Sequence, residues 1–182
     1  MGQSRPTPGW LLTIITLLAA TLDVFRLGVQ PVWSDEALSI ASCGLSSNDF
    51  PVHVISHEPF MVLYYVLLRL WLGFGQSEFA VRSLSVVFVA AVIPSLYALG
   101  RRLFGRRAGM LAAFLLGVNF LFIQYAQEAR SYTLTTLIVI WSWYALLELL
   151  ERPSWRKTLY YSLTTATLAY CQLFSLLMLR PN

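Results

Sequence analysis

Two adjacent carboxylates, Asp35 and Glu36, stand in Trp33-Ser34-Asp35-Glu36-Ala37, just beyond a first apolar stretch. Carboxylates beside a bilayer are costly to place, so the pair defaults to a functional-site candidate. The chemistry available to it is general-base catalysis: taking the proton from an acceptor hydroxyl as that oxygen attacks an activated carbon. Ser34 reads as an N-cap, which puts both acids in the first turn of a short helix, where the macrodipole alone would also favour them. Neighbouring helical residues point about 100° apart, so only one of the two can face a given cavity. Asp35 is the favoured catalytic base, with Glu36 supporting it or oriented elsewhere.

Three further groups could serve the same chemistry. Both histidines fall in Pro51-Val52-His53-Val54-Ile55-Ser56-His57-Glu58-Pro59. On a helix, His53, His57 and Glu58 could hold a metal, but the bracketing prolines and β-branched residues favour a loop with a hydrogen-bonding role. Gln124–Tyr132 joins two apolar runs and contains Glu128 and Arg130. These are either interfacial end-charges or, more sharply, a guanidinium fork suited to phosphate with a second acid beside it. The sequence contains no P-loop, dinucleotide-binding glycine fingerprint or CxxC pair. Cys43 and Cys171 do not form a disulfide framework. A divalent metal is the one cofactor left open.

These groups must be held by a chain that is 57% hydrophobic and 12% charged, with a mean hydropathy of +0.63. A soluble domain carries about twice that charged fraction. Uncharged runs recur at Thr7–Leu22, Ser83–Gly100, Ala108–Gln127, Ser131–Leu147 and Thr158–Leu179. Each is close to the roughly 20 residues that a spanning helix needs. The first and fourth reach single charges, Asp23 and Glu148, that can extend to the interface. The expectation is an all-α, polytopic membrane protein: one domain over 1–182, about five transmembrane helices, and short interfacial helices in a first external loop at 30–82. The N-terminal apolar stretch reads as a retained helix rather than a cleaved signal.

Orientation follows from the arginines. Arg5, the Arg101–Arg107 cluster and the Arg152–Lys157 loop give eight Lys/Arg on one side against five on the other (Arg26, Arg69, Arg82, Arg130, Arg180). The positive-inside rule puts the larger set, and the N-terminus, in the cytoplasm. Phe60–Phe74 has too few uncharged residues before Arg69 to cross, so it reads as an amphipathic interfacial helix, with Tyr64, Tyr65 and Trp71 suited to that depth. Asp35, Glu36, His57, Glu58, Arg82, Glu128 and Arg130 then share the non-cytoplasmic face. The basic residues form no stripe with interleaved aromatics, which argues against a nucleic-acid partner. They serve as a topology anchor facing membrane lipids.

Asp35-Glu36-Ala37 after a first span resembles the first-loop acidic motif of the GT-C membrane glycosyltransferases, in the family-39-like branch of protein O-mannosyltransferases and aminoarabinose transferases. Leu63–Trp71, Ser77–Arg82, Gly100–Gly105 and Gln127–Tyr132 continue the likeness in order, and His57-Glu58-Pro59-Phe60 stands where that branch has a His-Pro-Pro-Leu turn. The resemblance implies inverting transfer of a sugar, mannosyl-like, from a polyprenyl-phosphate donor to a lipid, glycan or protein acceptor. The reaction would occur on the periplasmic or extracytoplasmic face of the cell (inner or plasma) membrane. Asp35 takes the catalytic-base position, with Glu36 beside it. Arg130, Glu128, His57, Glu58 and Tyr64 are the substrate- and phosphate-binding candidates. Such enzymes have eleven or more spans, so the chain is expected to be the N-terminal portion of one. The alternatives are a non-catalytic remnant or assembly subunit, and a small lipid-linked-sugar transporter.

Overall fold

Helix is the only regular structure that satisfies every backbone N–H and C=O within one segment in an apolar medium, and it is the only regular structure among the described residues of this chain. The computed structural model describes residues 9–25, 27–28 and 33–171. Its helices are α1 (Gly9–Val24), α2 (Ser34–Cys43), α3 (Asp49–His57), α4 (Val62–Trp71), α5 (Glu78–Phe104), α6 (Arg106–Gly117), α7 (Phe120–Ala126), α8 (Tyr132–Glu151) and α9 (Trp155–Ala169), with short 3₁₀ turns flanking α4. Arg5, Arg26, Arg180, residues 30–32 of the first loop and residues 172–179 of the expected last span lie outside the described residues.

Two helices, α5 and α8, are long and apolar enough to cross a membrane, and α6 with α7 makes a third if that bent pair is one span. Five spans were expected, so the described residues account for fewer. The expected single span at 108–127 is broken after Gly117, and the axes of its two halves differ by 61°. Asn119 causes the restart, its Oδ1 accepting from the Phe122 N–H at 3.0 Å as an N-cap. α1 is a shorter apolar helix, as is the Pro59–Phe74 segment that contains α4.

Several local expectations are corrected. α2 begins at Ser34 with Trp33 as its N-cap, one residue before the cap read from sequence, and Glu36 reaches back to accept from the Trp33 N–H at 3.2 Å. The His53–His57 stretch is helical, because Pro51 occupies the first turn of α3, where a missing N–H costs nothing. Tyr64 and Tyr65 are fully buried against protein. With Leu68 they form the inward stripe of α4, packed on Val81, Leu84 and Leu134. Trp71 clips α4 to α5, its Nε1–H reaching Ala80 O at 3.0 Å and Ser83 Oγ at 3.1 Å. Asp23 is buried in protein.

The bundle has two ends of opposite chemistry. At one, Arg102 pairs with Glu148 and with Glu151 (2.8 Å), and Lys157 with Glu148 (2.9 Å), joining α5, α8 and α9. At the other, the end of α1, the start of α5 and the α7–α8 turn converge beneath α2 and α4. There the Gln127 amide caps α1, donating to Asp23 O and Phe25 O at 3.1 and 3.0 Å. Between the ends, α5 and α6 form a hairpin turned at Gly105, whose φ of +89° favours glycine. Its arms touch at Gly109, where a Cβ would stand 2.6 Å from Arg101 N and 2.7 Å from Tyr97 O. Backbone cannot yield there, so Gly109→Ala is expected to cost about 1–3 kcal/mol. Thermal unfolding in detergent will show this as a lowered midpoint, whereas Gly73→Ala, with nothing within 4 Å of its Cβ, leaves the midpoint in place.

Candidate functional site

Glu36 and Arg82 are both nearly inaccessible, at 2% and 3% exposure. Their contact is a fork: Arg82 Nε donates to Glu36 Oε1 at 2.9 Å and Nη2 to Oε2 at 2.7 Å. Oε1 also accepts the Ala129 N–H at 2.9 Å, and Oε2 the Trp33 N–H at 3.2 Å. A carboxylate offers about four acceptor positions, and all four of these are filled. Burial would raise the Glu36 carboxyl, but the Arg82 fork and the two backbone donors outweigh it and hold the carboxyl below its usual range. Arg82 also donates through Nη1 to Leu27 O at 2.7 Å. One ion pair therefore ties the chain after α1, the first turn of α2, the start of α5 and the turn before α8.

Asp35 lies outside this cluster. It is 68% exposed, and its Oδ2 lies 3.5 Å from Arg130 Nη2. Arg130 is only 15% exposed, and its Nε and Nη1 are buried with no hydrogen-bond partner. Buried donors are rarely left unmade, because each costs its desolvation. Two unpaired donors on one guanidinium beside an exposed carboxylate are therefore a notable concentration of unused polar capacity. Glu128 is half-buried in the same turn, and its carbonyl accepts from Ser85 Oγ at 2.7 Å. Burial first, and then the charge of Glu36, raises its carboxyl above the usual range, and the nearby Arg130 offsets this only in part.

Asp35, Glu36, Glu128 and Arg130 are thus brought together from α2 and the α7–α8 turn, 93 residues apart at the Glu36–Ala129 contact. His57 and Glu58 lie at the end of α3. His57 stacks on His53 with ring centroids 4.4 Å apart, and its Nδ1 is 3.1 Å from His53 O. Among the described residues, no group of three His, Cys, Asp or Glu side chains is arranged to hold a metal ion. Tyr64 and Tyr65 are both buried in the core, Tyr64 within electrostatic reach of Glu36. The Tyr65 hydroxyl lies 3.5 Å from Ser39 Oγ and within electrostatic reach of Glu58 and Arg130. Arg82 was placed on the shared face by sequence but not in the site. Its signal was a cation four residues into a 27-residue apolar helix, which requires a buried partner.

The scaffold is all-helical and gathers two acids and an arginine at one end, over a buried ion pair. The chain belongs to the dolichyl-phosphate-mannose-protein mannosyltransferase family, whose profile matches residues 57–181. It is therefore an integral membrane protein of the GT-C glycosyltransferase type. Glu58, Tyr64, Glu128 and Arg130 fall within the match, and Asp35 and Glu36 precede it. No curated protein and no solved structure matches the chain.

Removing one partner from a buried ion pair strands the other charge, at about 3–5 kcal/mol. Glu36→Gln is expected to lower the unfolding midpoint accordingly. Because the folded carboxyl sits below its unfolded value, its contribution is complete above the ordinary glutamate range and is lost as pH falls beneath it. Thermal melts against pH should show that acid decline in the wild type and a weaker one in the variant.

Proposed function

We propose that this protein takes part in transfer of a sugar from a polyprenyl-phosphate donor to an acceptor hydroxyl on the non-cytoplasmic face of the membrane. The observation that carries the proposal is the Arg130 guanidinium, which stands in the turn that also carries Glu128 and whose Nη2 lies 3.5 Å from the exposed carboxylate of Asp35. Asp35 accepts the proton of the attacking hydroxyl. The acceptor oxygen forms a bond to the anomeric carbon as the carbon–oxygen bond to phosphate breaks, and the configuration inverts. The polyprenyl phosphate leaves as an anion, and a preorganised guanidinium fork stabilises the charge developing on it.

Glu36 cannot share the base role in this scheme, since its lone pairs are committed; it positions α2. Glu128, whose carboxyl keeps a proton to higher pH, can donate a hydrogen bond to a sugar or phosphate oxygen. His57 and Glu58 border the site as donor or acceptor contacts. Tyr64 and Tyr65 act from the buried core beneath the site. The family assignment supports a lipid-linked sugar as donor and a protein or glycan as acceptor.

In membranes supplied with a polyprenyl-phosphate sugar, Asp35→Asn is expected to reduce transfer by about 10²–10⁴-fold, the usual worth of a general base. Insertion and melting are expected to be retained. Arg130→Gln is expected to reduce turnover by about 10²–10³-fold, as for loss of an oxyanion donor. Unchanged transfer in Asp35→Asn removes that residue from the mechanism. Single cysteines at Ser47 and Ser154 report the orientation: an impermeant thiol reagent should label the first from outside and not the second, and outside labelling at Ser154 contradicts the assigned face.

A further inference from the structure

A second candidate site lies away from Asp35, towards the C-terminal end of α2. Ile40, Cys43 and Gly44 of that region, Arg69, Leu72 and Gly73 from α4 and its 3₁₀ turn, and Gln76 and Val81 enclose a cavity of about 310 Å³. That volume is within the range of small-ligand pockets, roughly 300–1,000 Å³. Cys43 is eight residues along α2 from Asp35, about 12 Å at the helical rise. The cavity therefore does not belong to the Asp35–Arg130 cluster.

Its one charged wall residue is Arg69, and no carboxylate lines it. The guanidinium is held from two sides: its carbon lies 4.4 Å above the centre of the Phe50 ring, and Nη2 donates to Ser47 Oγ at 3.4 Å. Nη1 remains buried without a hydrogen-bond partner. An aromatic face and a hydroxyl orient this cation but do not neutralise it, which leaves it matched to an anion. The remaining walls are apolar (Ile40, Leu72, Val81) with the Gln76 amide as a further polar group. On the adjoining surface, Leu70 and Phe74 are 69% and 86% exposed. In an integral membrane protein, large exposed apolar side chains beside a buried cation fit an amphiphile better than a soluble anion. A single guanidinium holds free phosphate only weakly, and burying an acyl chain adds free energy for each methylene covered.

We propose that this cavity binds the headgroup phosphate of an anionic membrane phospholipid through Arg69, with an acyl chain lying along Leu70 and Phe74. The site tethers α2, α3 and α4 to the bilayer surface independently of the sugar-transfer cluster. The test is native mass spectrometry of the full chain released from micelles across a phosphatidylglycerol titration. Wild-type protein is expected to retain one phosphatidylglycerol, and Arg69→Gln to bind it at least tenfold more weakly. Arg69 also supports Phe50 and Ser47, so a second variant separates binding from folding. Gly73 lines the cavity and a Cβ there meets nothing within 4 Å, so Gly73→Leu adds bulk at the wall from an open Cβ position. It is expected to match the loss of lipid while melting normally in lipid-free detergent. Undiminished retention in both variants overturns the proposal. Glycerol phosphate displacing the lipid at equal concentration assigns the cavity to a soluble phosphate and overturns the lipid assignment.

Discussion

The buried Glu36–Arg82 pair is the constraint on which the rest of this architecture depends. Helices in a membrane gain little from hydrophobic association, because lipid is as apolar as their side chains, so specific polar contacts decide which segments meet. Here the ion pair, its carboxylate fully satisfied, gathers four chain segments at one point. It also resolves the ambiguity of two adjacent acids. The bonds of Glu36 are taken up in the core, while Asp35, about 100° around α2, is exposed beside Arg130.

The opposite end of the bundle is organised by a different kind of charge. Arg102, Glu148, Glu151 and Lys157 are partly exposed, and such pairs are worth little individually. They align three helix ends without building a cavity. The buried pair fixes where separate chain segments meet, and the exposed network joins helix ends.

Much of this was legible in the sequence, and the exceptions have physical causes. The long apolar runs of α5 and α8 carry their own signal, and the Pro59–Phe74 helix was marked by Arg69 interrupting too short a stretch. The break at Asn119 was missed because hydropathy averages over a window and does not register one capping side chain. That Tyr64 and Tyr65 are both fully buried is a matter of how α4 packs, which a repeated tyrosine in an apolar run does not signal. The role of Arg82 depends on a partner 46 residues away, a distance at which spacing rules say nothing. Arg130 was marked as a phosphate candidate by residue type, but its approach to Asp35, 95 positions earlier in the chain, comes from the fold.

The most direct test of the account is a structure of the protein with a polyprenyl phosphate bound. The account predicts the phosphate on Arg130 Nε and Nη1, Asp35 facing the anomeric position, and the Glu36–Arg82 fork unchanged. A phosphate bound elsewhere, with Arg130 still turned to Asp35 alone, would contradict it.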